Sequence, residues 1–249
     1  MINVPNLLDP LGVLGRMHHV TRYSGYPAIM KENVAEHSWL TSMYSYLIAR
    51  DAQVHGIKIN MELLLSRCII HDLDESLSGD VIRSFKYATE NLKDEMNKAA
   101  KIVFIPALET IFYRQDTVSA NEKANSDELV ETTKELWESC GSLDDVENFI
   151  LKFSDFLTVL FFSLRDVKLG NNLLKNVVKE VLGYICELVT KLGKSQGATL
   201  DRQKHKDMSK LEILFKKYLI QISQLVHSMD LTSLVPASLQ GIHLDFINE

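Results

Sequence analysis

Much of what marks a specialised protein class is scarce in this chain of 249 residues. It has three cysteines, Cys68, Cys140 and Cys186, widely spaced and odd in number, so no disulfide framework is expected. It has five prolines, eleven glycines and few alternating β-branched runs, which argues against a turn-rich sheet architecture. It has no long apolar run: "FLTVLFF" (Phe156 to Phe162) is far too short to span a bilayer, so no membrane partner is expected. It has no basic excess. At a net charge of −6, stable nucleic-acid binding is not expected. The basic stretch "DRQKHKDMSK" (Asp201 to Lys210) is broken by acids and reads as a solvated helix face. An anionic substrate would have to be caught by a few placed cations and not by a general field. The opening "MINVPNLLDP" lacks the basic and apolar regions of a signal peptide. A reducing cytoplasm is the simplest reading.

What is present is helix. Hydrophobic residues make up 46% and charged residues 24%, ordinary for a globular chain of one large domain, or one domain with an appended segment. "NVAEHSWLTSMYSYLIAR" (Asn33 to Arg50) opens with Asn33 and Glu36, spaced as a capping box. Its apolar stripe runs through Leu40, Tyr44, Leu47 and Ile48, with His37 one turn before. A second helix is predicted over Asn60 to Glu75, capped by Asn60, with a turn at "SGD" (Ser78 to Asp80). Residues 91–145 are more polar, with helices and loops lying over the core. The most apolar helix is predicted over Ser142 to Gly170, with Ser142 and Asp145 as capping box and Gly170 as stop. Another follows over Asn171 to Gly193. "GKSQGATL" (Gly193 to Leu200) is the best linker, and one more helix is expected near Lys206 to Ser228. The fold class is all-α, divided into a main domain of residues 1–193 and a helical extension of residues 194–249.

Polar groups on apolar faces are the residues that ask for an explanation. On the predicted helix Asn60 to Glu75, Leu64, Cys68, His71, Asp72 and Glu75 share a face. An adjacent His and Asp offer a nitrogen and a hard oxygen to one cation, although a helix end with polar residues gives the same dipeptide. Asp155 lies between Phe153 and Phe156 in the most hydrophobic stretch. Burying a lone carboxylate costs several kcal/mol unless it is paired or binds a metal. Lys152, one turn away, could pair with it or turn outward to solvent. His37, His71, Asp72 and Asp155 together make a mixed nitrogen and oxygen set. It suits one divalent transition metal such as Mn, Co, Zn, Fe or Ni. Cys68 is read as a small buried hydrophobe, and His18 with His19 as a solvent-facing pair.

Three stretches carry a family resemblance. "RYSGYPAIMKENVAEHS" (Arg22 to Ser38) resembles an Arg-Trp segment followed at fixed distance by "ENVSEHS". "HDLDESLSGDVIRSFKY" (His71 to Tyr87) resembles "HDxSExLTGDxPTPVKY". "KFSDFLTVLFFSLRDVKLGNN" (Lys152 to Asn172) resembles "KxADxLxAYLxxxxELxxGNN". Together they resemble the HD-domain metal-dependent phosphohydrolases, and within these the YfbR-like 5'-deoxynucleotidases. The resemblance implies an HD-type helical bundle with an additional C-terminal helix. It implies His37, His71, Asp72 and Asp155 as metal ligands and Glu75 as the proton-transfer acid. It implies Asp80 near the sugar hydroxyl and attacking water, and Arg22 near the phosphate. Lys86 is a further candidate for phosphate contact.

The chain departs from those patterns at two places. Tyr23 stands where the family has a Trp that helps close the sugar pocket, and "DVIRSFKY" lacks both prolines and adds Arg83. The expected activity is 5'-deoxynucleotidase on a small nucleotide. A dNTP triphosphohydrolase and an inactive nucleotide-binding protein are the alternatives. A homodimer is expected by analogy alone.

Overall fold

The computed structural model describes residues 12–86, 88–89, 91–112, 120–194 and 202–240. Among the described residues the regular elements are helices, as the all-α expectation requires, with one isolated antiparallel bridge between Thr21 and Asn33. In chain order these are α1 (Val13–Arg16), α2 (Val34–Val54), α3 (Met61–Ile70), α4 (Glu75–Ser78), α5 (Arg83–Lys86), α6 (Leu92–Phe112), α7 (Ala120–Ser139), α8 (Val146–Lys168), α9 (Lys175–Lys194), α10 (Arg202–Ser228) and α11 (Ala237–Gln240). No described helix is long and apolar enough to cross a membrane. From Ser195 the expected linker lies outside the described residues, as does the tail from Gly241.

The chain forms two compact units. The first takes Met1–Gly25, Lys31–Trp39 and Ile69–Cys140, and the second takes Tyr26–Met30, Leu40–Cys68 and Gly141–Glu249. The division expected at residues 193 and 194 falls between α9 and α10, which pack together in the second unit.

In the first unit the α6 and α7 hairpin supplies Phe104, Leu108 and Val130 to a core completed by Met17, Val34 and Leu73. Trp137, Leu77, Val20 and Ala35 pack around it. The indole of Trp137 lies 4.9 Å from the Phe104 ring.

In the second unit α9 is strongly amphipathic. Val177, Val178, Val181, Leu182, Ile185, Leu188, Val189 and Leu192 recur at three- and four-residue spacing and are buried, each stabilising the fold by about 1.5–3 kcal/mol. Gly193, where the predicted helix ends, is helical. A Cβ there would lie 2.8 Å from Oε1 of the Glu212 side chain on α10. Phe215 of α10 stacks on Phe153 of α8 with centroids 4.1 Å apart.

Helix α2 departs from its expected stripe. Its buried residues are Val34, His37, Ser38, Thr41, Ser45, Ile48, Ala49 and Ala52, a face of mostly small or polar side chains. Leu47 is 57% exposed, and Trp39, Met43 and Tyr46 are also exposed.

Helix α8 starts four residues later than the predicted Ser142, with Asp145 as its cap. Asp145 Oδ1 accepts from Asn148 N at 2.7 Å, and the carboxylate also receives Nη1 of buried Arg67 at 2.7 Å. Ser142 donates instead to Asp144 at 2.8 Å. Asn60 caps α3 as expected, accepting from Leu63 N at 3.1 Å. Gly170, at φ 104, ends α8 as expected.

Near that end Asp166 is fully buried. It accepts from Ile29 N at 3.2 Å, from Met30 N at 2.8 Å and from Asn171 Nδ2. Burial pushes its carboxyl up, but the bonds from Met30, Asn171 and Ile29 and the nearby Arg165 charge hold it below the usual range. A depressed native pKa adds stability that is complete above the unfolded carboxylate value near pH 4 and is lost as pH falls through the native value. The stability advantage of the wild type over Asp166→Asn, from urea unfolding, is therefore expected to shrink between about pH 6 and pH 3. An advantage that grows on acidification would contradict this.

Candidate metal centre

The cluster begins with the segment that enters α2. The bridge between Thr21 and Asn33 is extended by Arg22 N to Glu32 O at 2.9 Å and Val34 N to Val20 O at 3.1 Å. The expected capping box then starts the helix. Asn33 N donates to Glu36 Oε2 at 3.1 Å, and Glu36 N donates to Asn33 Oδ1 at 2.9 Å. Glu36 is thus a cap, and His37 falls in the first turn of α2, fully buried.

The second segment corrects a boundary. The helix predicted through Glu75 ends at Ile70, and His71 to Asp74 form a tight turn before α4. Leu73 N bonds to Ile70 O at 3.1 Å, Glu75 N to Asp72 O at 3.1 Å, and Ser76 N to Leu73 O at 3.2 Å. Helical three-and-four spacing therefore does not govern this stretch. The turn alternates its side chains, with Leu73 in the core, Asp74 on Trp137 Nε1 at 3.0 Å, and Asp72 and Glu75 on Arg22.

His37, His71 and Asp72 each bring one ligand atom within 4.8 Å of the others. Asp72 Oδ2 lies 3.4 Å from His37 Nε2 and 3.2 Å from His71 Nε2. Metal bonds of about 2.0–2.2 Å put two donors of one cation roughly 2.9–3.4 Å apart, depending on the angle between them. The spacing fits a shared cation, and the donor set of two imidazoles and a carboxylate suits a divalent transition metal. Arg22, 9% exposed, closes one side with Nη1 3.0 Å from the same Asp72 oxygen and 3.5 Å from Glu75 Oε2.

The charges are strongly coupled. Burial pushes the Asp72 carboxyl up, but His71, His37 and Arg22 together hold it well below the usual range, so it is the anion a metal needs. Burial would pull the Arg22 guanidinium down, but the acidic groups of Tyr23, Glu75, Asp72 and Asp80 outweigh this and keep it charged. For Glu75 the result is opposite. Burial and the Asp72 charge push its carboxyl well above the usual range, against the pull of Arg22 and Lys86. A cation on the cluster would oppose that rise.

Asp80 Oδ2 accepts from Tyr23 N at 2.8 Å, and Tyr23 has a φ of 56°, rare for a residue with a side chain. The Tyr23 ring is buried, with Arg22 over it at 5.6 Å. Lys86 contributes a charge felt by Asp74 and Glu75. Asp155 belongs to the second unit, where it takes Lys152 Nζ at 2.6 Å, so Lys152 pairs with it instead of turning outward. Cys68 is a buried hydrophobe in that same unit, its thiol pushed up to about 11 by burial despite a bond with Ser45. His18 and His19 are exposed. Two contributors went unread in the sequence. Glu32 is buried with Oε2 3.9 Å from Arg22 Nε, and Asp74 binds Trp137. Glu32, next to Asn33, stands opposite Arg22 in the antiparallel register of the bridge, and that pairing would have pointed to it, whereas nothing local links Asp74 to Trp137.

The chain is helical and brings a buried His, a His-Asp pair and an arginine together on one carboxylate. It resembles in fold an HD-domain phosphohydrolase from Listeria innocua, with a TM-score of 0.64, 20% identity and coverage of 89% of this chain and 92% of that one. The profile of the YfbR-like 5'-deoxynucleotidases matches residues 11–192, and the chain belongs to that family. The 5'-deoxynucleotidase YfbR of Shigella boydii is 25% identical over 148 residues, covering 58% of this chain and 74% of that protein. A 5'-deoxynucleotidase of Erwinia tasmaniensis is 25% identical over 150 residues, covering 58% and 75%.

Replacing Asp72 by Ala, or His71 by Ala, is expected to remove bound Mn or Co measured by elemental analysis, while Cys68→Ser retains it. Full metal content in Asp72→Ala would contradict the cluster as the binding site.

Proposed function

We propose that the chain is a metal-dependent 5'-deoxynucleotidase, hydrolysing a deoxyribonucleoside monophosphate to the deoxynucleoside and phosphate. The observation that carries this reading is the convergence of His37, His71 and Arg22 on the Asp72 carboxylate, with Glu75 3.5 Å from the same Arg22 nitrogen. His37, His71 and Asp72 would hold the metal. Asp155 is assigned as the fourth ligand on its match to the family pattern. When bound, a divalent transition metal neutralises phosphate charge and makes water a competent nucleophile near neutral pH.

The chain's own residues supply the rest. In the reaction the bond from phosphorus to the 5' oxygen breaks, a bond to the water oxygen forms, and one proton passes from water to the leaving oxygen. Glu75, buried and 3.5 Å from Arg22 Nη1, is the carboxyl placed to carry that proton. Arg22 offers a planar fork of five donors, and Nη1 alone serves both Asp72 and Glu75. The fork thus has donors to orient a phosphate and stabilise its charge. Lys86 adds a second cation. Asp80 fixes the backbone of Tyr23, and both are assigned to the sugar.

Incubating the Mn- or Co-loaded protein with dAMP and with dATP tests the proposal. Orthophosphate from dAMP is expected. Inorganic triphosphate from dATP with none from dAMP would identify a triphosphohydrolase, and no release from either would overturn both readings. Glu75→Gln is expected to keep its metal and lose roughly 100- to 10,000-fold in turnover. Asp155→Ala is expected to weaken metal binding, and an unchanged metal content would remove Asp155 from the ligand set.

A further inference from the structure

The turn that carries the ligands is anchored from behind. Between Asp72 and Glu75, which face Arg22, lie two residues that go the other way. Leu73 enters the core with Phe104, and Asp74 accepts from Trp137 Nε1 at 3.0 Å. Trp137 is itself braced against Phe104, ring to ring at 4.9 Å. Both aromatic residues belong to the α6 and α7 hairpin. The pattern that this stretch resembles has Ser where the chain has Asp74.

We infer that Trp137 is a positioning residue for the metal centre, acting through its hydrogen bond to Asp74 to set where Asp72 and Glu75 lie. The inference rests on His37, His71 and Asp72 being a metal site. Its physical basis is the shortness of the turn. Leu73 N, Glu75 N and Ser76 N are all engaged in bonds spanning three residues, so the backbone from residue 72 to 75 moves as one piece. A shift of the Asp74 side chain is therefore passed to Asp72 two residues before and to Glu75 next to it. Ligand sets tolerate little displacement, and the groups behind a ligand are what hold it. Leu73 alone cannot fix the rotation of the turn, because an apolar contact has no direction. The bond from the indole has one.

Cobalt titration of the purified full chain, followed by its visible absorption, tests this. The wild type is expected to bind Co. Trp137→Phe and Asp74→Ala are each expected to weaken binding roughly tenfold and to alter the absorption band. Asp74→Asn, whose amide oxygen still accepts from the indole, is expected to restore most of the affinity. It lacks the carboxylate charge just as Asp74→Ala does, so the difference between the two reads the hydrogen bond and not the charge. The double variant Trp137→Phe with Asp74→Ala is expected to be no weaker than either single one, since both remove the same bond. Thermal unfolding of each variant reports the fold separately. Variants that bind Co as the wild type does, or single losses that add in the double variant, would overturn the inference while leaving the metal site intact. If Trp137→Phe does not fold, Asp74→Ala binding as tightly as Asp74→Asn overturns it alone. A wild type that takes up no Co would overturn the metal site, and the inference with it.

Discussion

One oxygen, Oδ2 of Asp72, faces nitrogens of Arg22, His37 and His71 at 3.0, 3.4 and 3.2 Å. Its negative charge is removed from bulk water, and only the surrounding nitrogens make that tolerable. Three chain segments have to meet for this: the strand-like stretch at Arg22, the first turn of α2, and the turn at His71 and Asp72. Each is brought in by a local device of ordinary strength. The bridge of Thr21 with Asn33 places Arg22, the box of Asn33 with Glu36 places His37, and bonds spanning three residues shape the turn. Glu75 feels the same oxygen, since the charge on Asp72 adds to burial in pushing its carboxyl up.

The contrast with the second unit shows which paired acids are structural. Asp166 receives two backbone N–H groups and one amide, all obligatory proton donors. Asp145 receives a backbone N–H and a guanidinium. These partners can only donate, so each carboxylate has one possible role. The imidazoles opposite Asp72 are different, because a neutral ring nitrogen may present either a proton or a lone pair. A site built from groups that can exchange a shared proton for a shared cation is chemically open in a way that Asp166 is not.

Helix content was legible because α9 and α10 bury one regular face each, and the cap at Asn33 was legible because its geometry is local. The buried face of α2 was not. Thr41, Ser45, Ala49 and Ala52 look like surface residues in a pattern of hydrophobicity, whereas Leu47 looks buried and is exposed. The end of α3 at Ile70 was hidden for a similar reason. Nothing in "IIHDLDES" breaks a helix, and the turn is imposed by tertiary partners, Leu73 by the core and Asp74 by Trp137. Of the candidate site, His71 and Asp72 were visible as a pair, and His37 as a polar residue on an apolar helix. The bond of Arg22 to Asp72 spans fifty residues and leaves no periodic trace. The pairing of Lys152 with Asp155 was one of the two readings the spacing allowed.

The left-handed backbone at Tyr23, fixed by Asp80, limits how this chain can diversify. Residues branched at Cβ are poorly accommodated at such a φ, and proline cannot adopt it at all. Drift at position 23 is thereby channelled into glycine, asparagine, aspartate or unbranched and aromatic side chains. The side chain at position 23 can be lengthened or shortened over generations, but it cannot readily be broadened at its base. Any lineage that needed a branched side chain there would first have to abandon the bond to Asp80.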